Sequence, residues 1–364
     1  MIRVLAVSSY PVEAAATRFR IQQFERPLAE RGIEVDLWPF LTGEQFRSLY
    51  RQGGSAGKIL GMAASAAKRV AGIASASKYD LLFVQREAVP FGPAIFERLY
   101  QSVGRMPMVL DLDDATYVRY VSPTYGRLGS ALKFFGKTDK LIDRSAIVIA
   151  GNRYIAEYAE GRGTKAAVIP TIVDTSIFCP AERANEIPVI GWIGTHSTFQ
   201  FLKPLFPVLQ RLAEKYPFRL KVVGAGTEKI KVDGLEIEAL EWSIEREVED
   251  FRSIDIGLYP LETKGSLDPA WLAGKSGFKA IQYMSVGIPF VMSPVGVCSE
   301  MGVAGKTHVL ASAPDMWSEA LEMLIASPQL RHQMGNAGRN HALQHYSLET
   351  QADKLAENFR TVLA

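Results

Sequence analysis

The residues best suited to chemistry lie in a small-residue loop that leads into a predicted helix. Gly274–Gly277 precedes Phe278–Met284, whose apolar spacing predicts a short helix. Backbone N–H groups are unpaired at a helix N-terminus, and the positive end of the helix dipole attracts anions. Lys279 follows Lys275 by one helical turn, so both ammonium groups can flank the helix start. The pattern predicts a phosphate site; the alternative is a solvated pair of lysines.

Two glycine-containing turns follow predicted strands in the same half of the chain. Gly194 and Thr195 follow the strand Val189–Ile193, and Val223–Gly226 ends another strand. Ligands of open α/β sheets bind at the carboxyl ends of strands, so both turns are candidates for phosphate or nucleotide contact. Trp242 falls at a further strand end, where it either walls a nucleotide base or packs in the core. A lone G-x-G is not the dinucleotide fingerprint.

Acidic and basic residues follow two predicted strands of the first half. Asp111, Asp113 and Asp114 end the strand that starts at Met108, and Arg86 and Glu87 end its neighbour. The D-x-D spacing is compatible with a metal site, because carboxylates are ligands of Mg²⁺ and Mn²⁺. We favour a metal-free interpretation, in which Asp113 or Asp114 faces a hydroxyl group of a ligand. Carboxylates that cap the next segment are the third alternative.

The first strand-to-helix turn carries two further cations. Arg18 and Arg20 could bind phosphate groups of a ligand, or could lie on a solvated helix face. His341 and His345 have metal-ligand spacing on one helix but no third ligand nearby in the sequence. A P-loop is absent from the sequence, and no G-x-S-x-G motif directly follows a predicted strand, as a nucleophile elbow would.

Alternating strand and helix patterns position these residues in a parallel α/β architecture. The 364 residues suffice for two domains. Predicted helices include Thr17–Arg31, Phe199–Lys215 and Leu348–Leu363. The predicted strands are Ile2–Ser8, Ile33–Leu37, Leu81–Val84, Met108–Asp111, Ala146–Ala150, Val189–Ile193, Arg219–Val223, Ile254–Tyr259 and Phe290–Ser293.

The segment Met284–Val291 resembles the A-x-G-x-P-V-V turn of GT-B glycosyltransferases of the family 4 type. Gln282 stands where that family has its second motif Glu, and Gly274 stands where it has the first, as in a bacterial branch with Gln in the motif. The resemblance implies an α/β GT-B fold, with two doubly wound Rossmann-like domains facing across a cleft. Residues 1–170 would bind the acceptor and residues 171–346 the nucleotide sugar. Residues 347–364 would form a helix that crosses back to the first domain.

The resemblance also implies a function, namely a retaining glycosyltransferase that uses a nucleotide-diphosphate sugar, with UDP as the expected nucleotide. The acceptor would be a glycan or a lipid-linked sugar, no cofactor would be needed, and a divalent metal would be dispensable. Lys275 and Lys279 would neutralise the leaving group. Two alternatives are a GT-B-fold sugar-nucleotide epimerase and a non-catalytic sugar-nucleotide-binding partner. The predicted donor-binding residues are Gly194, Thr195, Gly224, Trp242, Ser276, Gly277, Phe278 and Gln282. The predicted acceptor-side residues are Arg18, Arg20, Arg86 and Glu87.

Composition narrows the class of protein further. A net charge of +2 argues against a strongly basic nucleic-acid binder, and two cysteines give no disulfide framework. The N-terminus lacks the pattern of a signal peptide, so we expect a cytoplasmic protein. The Ala-rich, mildly basic stretch Lys58–Lys78 either contacts the inner membrane peripherally or forms an ordinary surface helix.

Overall fold

The computed structural model describes residues 1–49, 55–119, 133–182, 185–226, 230–261 and 268–364. The chain divides into two compact units. Unit 1 comprises Met1–Thr171, Ala273–Ser276 and Leu348–Ala364. Unit 2 comprises Ile172–Leu272 and Gly277–Ser347. Each unit is built around its own parallel sheet.

Unit 1 contains a parallel sheet in the order β2-β1-β3-β4-β5-β6 among its described residues. Its strands are β1 (Ile2–Ser8), β2 (Ile33–Pro39), β3 (Leu81–Gln85), β4 (Met108–Leu112), β5 (Ile147–Ala150) and β6 (Ala166–Val168). Its helices are α1 (Ala15–Arg20), α2 (Glu25–Glu30), α3 (Gly43–Leu49), α4 (Ser55–Ile73), α5 (Ile95–Gly104), α6 (Gly136–Arg144) and α7 (Arg153–Gly161). The strand order changes direction between β1 and β3, which is where open α/β sheets bind ligands.

Unit 2 contains a second parallel sheet in the order β12-β11-β10-β7-β8-β9 among its described residues. Its strands are β7 (Val189–Ile193), β8 (Arg219–Val223), β9 (Ile237–Leu240), β10 (Ile256–Tyr259), β11 (Phe290–Met292) and β12 (Val309–Leu310). Its helices are α8 (Phe206–Ala213), α9 (Glu247–Arg252), α10 (Pro269–Ala273), α11 (Phe278–Ser285), α12 (Pro314–Ala326) and α13 (Pro328–His345). Here the strand order changes direction between β7 and β10.

The last helix, α14 (Leu348–Leu363), packs within unit 1. Its buried residues include Ala352, Leu355 and Phe359, whose spacing places them on one helix face. The Phe359 ring meets Phe83 of β3 edge to face at 5.2 Å. The α/β fold and the exact span of this helix agree with the sequence pattern.

Two predicted helices are broken in the structure, so their single-helix assignments were wrong. Thr17–Arg31 splits into α1, a 3₁₀ turn at Gln22–Phe24, and α2. Phe199–Lys215 begins with two 3₁₀ turns and becomes α-helical only at Phe206. Proline explains both breaks, because Pro27, Pro204 and Pro207 lack the backbone N–H that an uninterrupted helix needs.

Helix α11 is fixed against the sheet of unit 2 by one tyrosine. The Tyr283 hydroxyl donates to the carbonyl oxygens of Gly191 and Leu258, each at 3.2 Å. Gly257 of β10 leaves room for the ring, since a Cβ there would lie 2.7 Å from it. The C-terminal half of α11 is therefore held beside β7 and β10.

In the described part of the chain, no helix is long and apolar enough to cross a membrane.

Candidate functional site

In unit 2, the turns after β7 and β8 meet without intervening side chains. Gly224 has a φ of +78°, and a Cβ on it would lie 2.3 Å from the Gly194 carbonyl oxygen and 3.3 Å from Trp242 Cβ. A Cβ on Gly194 would lie 2.1 Å from the Trp192 ring. The structure therefore brings together three of the residues that the sequence singled out, and the glycines allow the two turns to pack closely.

Hydroxyl groups cluster directly after Gly194. Thr195 is exposed, and its Oγ1 lies 3.0 Å from Ser197 Oγ and 3.1 Å from Thr198 Oγ1. The Thr195 N–H donates to Thr198 Oγ1 at 3.0 Å. His196 packs against the next turn, because a Cβ on Gly226 would lie 3.1 Å from His196 Cβ. The exposed hydroxyls and the adjoining backbone are suited to contact an anion.

Helix α11 begins at a glycine in the left-handed conformation. Gly277 has a φ of +64°, and a Cβ there would lie 2.1 Å from Met301 Sδ and 3.0 Å from Val297 Cγ1. A larger residue would be disfavoured both by its backbone conformation and by these neighbours. Phe278 is the first residue of the helix, and Gln282 lies one turn further on with 2% of its surface exposed.

Lys275 and Ser276 belong to unit 1, whereas the half-buried Lys279 belongs to unit 2. The Lys275 ammonium lies 3.5 Å from Asp114 Oδ2, and the Asn152 amide donates to the Lys275 carbonyl oxygen at 2.9 Å. Asn152 also caps α7, because its Oδ1 accepts the N–H of Ile155 at 2.9 Å. An Asn that precedes a helix can be recognised in the sequence as a cap. The hydrogen bond from Asn152 to Lys275 cannot be recognised there, because the two residues are far apart along the chain. The paired role of the two lysines stays a prediction.

A buried ion pair joins α1 to β4 in unit 1. Arg20 Nε donates to both Asp111 oxygens at 3.1 Å, and Nη2 donates to Oδ1 of the same carboxylate. Nη1 donates to the Ile169 carbonyl oxygen at 2.6 Å. The two side chains are 2% and 1% exposed. Burial alone would lower the pKa of Arg20, but Asp111 raises it on balance, so the guanidinium stays charged.

The register of the strands explains why Asp111 and the pair formed by Arg86 and Asp113 lie at the same edge of the sheet. Ser8 of β1 lies opposite Gln85 of β3, which lies opposite Asp111 of β4. Asp113 and Arg86 follow directly on their strands, at the carboxyl edge of the sheet. The Gln85 amide donates to Asp113 Oδ1 at 3.2 Å.

Arg86 holds two of the three aspartates. Its Nε and Nη2 donate to Asp113 Oδ1 and Oδ2 at 2.5 and 2.7 Å, and Nη2 also lies 3.1 Å from Asp114 Oδ2. Burial would raise the pKa of Asp113, but the Arg86 guanidinium outweighs it and lowers that pKa below its usual value. Arg86 itself has a φ of +59°, a left-handed conformation that costs about 1–2 kcal/mol in a residue with a side chain. Backbone strain of this kind is concentrated at functional sites.

The other residues predicted on the acceptor side have internal contacts as well. The Glu87 carboxylate lies 2.6 Å from the ammonium of Lys137, which is buried and also donates to the Val89 carbonyl oxygen at 2.7 Å. The half-buried Arg18 guanidinium lies over the Phe19 ring, 4.5 Å from its centroid. Lys137 escaped sequence analysis, because nothing in its surroundings along the chain indicates burial.

Among the described residues, no group of three or more His, Cys, Asp and Glu side chains is placed to hold a metal ion. The three aspartates at the edge of unit 1 make ion pairs with Arg20, Arg86 and Lys275.

Solved structures with the same architecture cover nearly the whole chain. A glycosyltransferase from Rickettsia africae superposes with a TM-score of 0.69 at 14% identity, over 100% of this chain and 98% of the other. Anabaena HepE in complex with UDP-glucose superposes with a TM-score of 0.67 at 15% identity, over 99% of this chain and 100% of the other. The fold is GT-B. Sucrose-phosphate synthase from Thermosynechococcus elongatus is similar too, with a TM-score of 0.66 at 12% identity over 100% and 99%.

Sequence comparison gives a match confined to part of the GT-B chain. Residues 187–327 match the protein family described as glycosyl transferases group 1. A D-inositol 3-phosphate glycosyltransferase of Segniliparus rotundus is 24% identical over 285 residues, which is 71% of this chain. The chain spans 62% of the length of that relative. The matched family segment contains all eight predicted donor-binding residues.

Proposed function

We propose that this protein is a retaining glycosyltransferase that moves a sugar from a nucleotide-diphosphate sugar to a glycan or lipid-linked acceptor. In this proposal unit 2 binds the donor and unit 1 binds the acceptor. The match of residues 187–327 to glycosyl transferases group 1 supports the reaction class. The UDP-glucose complex of Anabaena HepE, which shares the fold, makes UDP the nucleotide to test first.

The observation that carries the proposal is the side-chain-free edge of unit 2. The Gly194 and Gly224 backbones touch there, Trp242 adjoins them, and a left-handed Gly277 starts α11. A diphosphate needs polar groups that it can approach closely, and the exposed hydroxyls of Thr195 and Ser197, directly after Gly194, are such groups. Gln282 lies one turn inside α11, where its amide would bind a ribose hydroxyl.

The proposed transfer needs no nucleophile from the protein. The bond between the anomeric carbon and the leaving phosphate oxygen breaks, and the acceptor oxygen bonds to the same face of that carbon. The acceptor proton passes to the leaving phosphate. Negative charge develops on the diphosphate, so Lys279 and the N-terminus of α11 would stabilise it, with Lys275 as the second cation.

On the acceptor side, Asp114 is the aspartate best placed to meet a ligand. It is 26% exposed, whereas Asp113 and Asp111 are 7% and 1% exposed. Arg86 holds Asp113 and also contacts Asp114. In this proposal these contacts orient the Asp114 carboxylate toward an acceptor hydroxyl. We propose that no divalent metal takes part, because arginine and lysine already balance these carboxylates.

The setting that fits this activity is synthesis of a bacterial surface polysaccharide or glycolipid, at the cytoplasmic face of the inner membrane. The resemblance of the donor segment to bacterial GT-B enzymes supports this setting.

A thermal-shift screen of UDP, GDP, ADP and dTDP sugars tests the proposal. A ligand at 100 times its Kd adds about 2.7 kcal/mol of apparent stability, or a Tm shift of roughly 5–11 °C for a unit of this size. We expect a specific shift with one nucleotide class. NMR of the product should show the anomeric configuration of the donor, and EDTA should leave the rate unchanged.

Three results would count against the proposed glycosyltransferase function. Conversion of the sugar nucleotide without an acceptor would indicate an epimerase. Tight binding with no turnover on glycan and lipid extracts would indicate a non-catalytic partner. Metal-reversible loss of activity in EDTA would place a metal at the aspartates of unit 1.

A further inference from the structure

Helix α4 buries two polar side chains against unit 1. Ser65 and Arg69 are 7% and 3% exposed. The Arg69 guanidinium donates to the carbonyl oxygens of Ser8 at 2.8 Å and Ala88 at 3.1 Å, and Ser65 Oγ lies 3.2 Å from Gln45 Oε1. A surface helix of a soluble protein normally has the opposite arrangement, with its apolar stripe toward the core.

The outward face of α4 is correspondingly apolar. Ile59, Leu60 and Val70 are 66%, 71% and 58% exposed. The other exposed residues between 59 and 74 are Ala63, Ala64, Ala67, Lys68, Ala71 and Ala74. These positions occupy about half of the helix circumference, at 100° per residue. Large aliphatic side chains are thus presented to solvent along a helix that buries Ser65 and Arg69.

Helix α5 adds a second apolar stripe. Ile95, Leu99 and Val103 are spaced four residues apart, lie on one helix face and are 51%, 38% and 44% exposed. The acidic residue of this helix, Glu97, points inward, is 2% exposed and accepts the Ala88 N–H at 2.8 Å.

The two helices lie side by side. The Tyr100 hydroxyl of α5 donates to the Arg69 carbonyl oxygen of α4 at 3.2 Å. A Cβ on Gly104 would lie 3.0 Å from the Ala76 carbonyl oxygen, just beyond the end of α4. Their inner faces pack into the same core cluster, so their outer faces belong to one surface. We call this surface, with its aliphatic residues 59, 60, 70, 95, 99 and 103, the α4–α5 face.

The exposed charged residues of the two segments that form this surface have one sign. Residues 57–79 contain no Asp or Glu, and the single acid in residues 93–107 is the buried Glu97. The cations of these segments are Lys58, Lys68, Lys78, Arg98 and Arg105, with Arg69 buried. Exposed aliphatic side chains interleaved with lysine and arginine match the two components of an anionic bilayer surface, namely acyl chains and acidic headgroups.

We propose that the α4–α5 face docks on an anionic lipid bilayer, with the aliphatic side chains in the interfacial layer and the cations on the headgroups. Charge complementarity selects this occupant. The two segments carry five cations and no exposed acid, which an anionic surface attracts and a purely apolar protein partner would not need. The proposal goes beyond sugar transfer. Bilayer binding needs neither donor nor acceptor, so its failure would count against the proposed membrane setting but leave the proposed sugar transfer untouched.

The test is co-sedimentation of the full chain with vesicles of phosphatidylcholine containing 30% phosphatidylglycerol. We expect binding that weakens at high salt and is lost on pure phosphatidylcholine. The double variant Ile59→Ser/Leu60→Ser should bind at least about tenfold more weakly, since each side chain loses apolar burial. Lys58→Gln/Lys68→Gln should lose about fivefold for each lysine on anionic vesicles.

A matched control exists in unit 2. Met316 and Met323 of α12 are 44% and 43% exposed, so Met316→Ser/Met323→Ser removes a comparable apolar area elsewhere. This variant should bind vesicles like the unaltered chain. The proposal is overturned by no vesicle binding, by equal binding to neutral vesicles, or by equal losses in the two serine variants. It is also overturned if the α4–α5 face instead forms a dimer that Leu60→Ser abolishes. Circular dichroism establishes that each variant is folded.

Discussion

The buried pair of Arg20 and Asp111 allows a sharp test of what Arg20 does. Replacing Arg20 by Met leaves the Asp111 carboxylate, which is 1% exposed, without its three guanidinium hydrogen bonds. It also leaves the Ile169 carbonyl oxygen without its donor. Removing one partner of a buried ion pair costs about 3–5 kcal/mol.

That cost corresponds to a Tm decrease of roughly 6–20 °C for the transition of unit 1, at about 2–4 °C per kcal/mol. Arg20→Met/Asp111→Leu removes both charges, and we expect it to recover most of the loss, because no unpaired charge stays buried. Arg26→Met is the matched control. Arg26 is 90% exposed and pairs with Glu30 at 3.1 Å, so its loss should stay within about 0.5 kcal/mol.

Scanning calorimetry and urea unfolding measure these stabilities, and a transfer assay on the double variant measures function. If Arg20 only positions β4, the stable double variant should keep near-normal kcat/KM. A folded double variant without activity would show that Arg20 or Asp111 meets a substrate. Additive losses in the double variant would refute the reasoning about the buried charge.

Lys279→Ala should lower kcat/KM at least about 100-fold without unfolding the protein, because a lost contact to developing charge costs about 2.7–4 kcal/mol. The control Lys215→Ala, at the opposite edge of the sheet, should leave kcat/KM unchanged. Near-normal kinetics would remove Lys279 from the phosphate site. Gln282→Ala should raise the Kd of UDP about 2- to 12-fold by calorimetry, while Gln282→Glu is tolerated. An unchanged Kd would mean that this buried amide faces the core. Burial, together with the nearby His341, lowers the pKa of His308 to about 4. The unfolded chain then binds the extra proton between pH 6.5 and 4, so stability should fall by up to about 3 kcal/mol as pH drops through this window. His308→Gln should flatten that part of the stability–pH curve, and an unchanged slope would contradict the assignment.

Several features follow from local sequence alone. The strand Ile2–Ser8 and the helix Leu348–Leu363 have the bounds that their patterns predict, because apolar periodicity and terminal residues are local properties. The short strands Ala166–Val168 and Val309–Leu310 escaped prediction, since two or three residues carry too little periodicity. Proline interrupted two predicted helices for an equally local reason.

The positions of three glycines of unit 2 could also be recognised as candidate ligand sites from the sequence. Gly194, Gly224 and Gly277 follow strands or precede a helix, which is where close ligand approach is expected. Only the folded unit shows that the backbones of Gly194 and Gly224 touch, because that contact depends on β7 and β8 being neighbours.

The sequence by itself determined which residues lie at or near strand ends. Only the tertiary structure decided which side chains pair with each other. Arg20 meets Asp111 across 91 positions, and Arg86 meets Asp113 across 27. Strand order sets these partners, and periodicity does not specify which strands are adjacent. The outward apolar face of α4 was likewise decided by packing, because burying Arg69 against Ser8 and Ala88 turns Ile59 and Leu60 toward solvent.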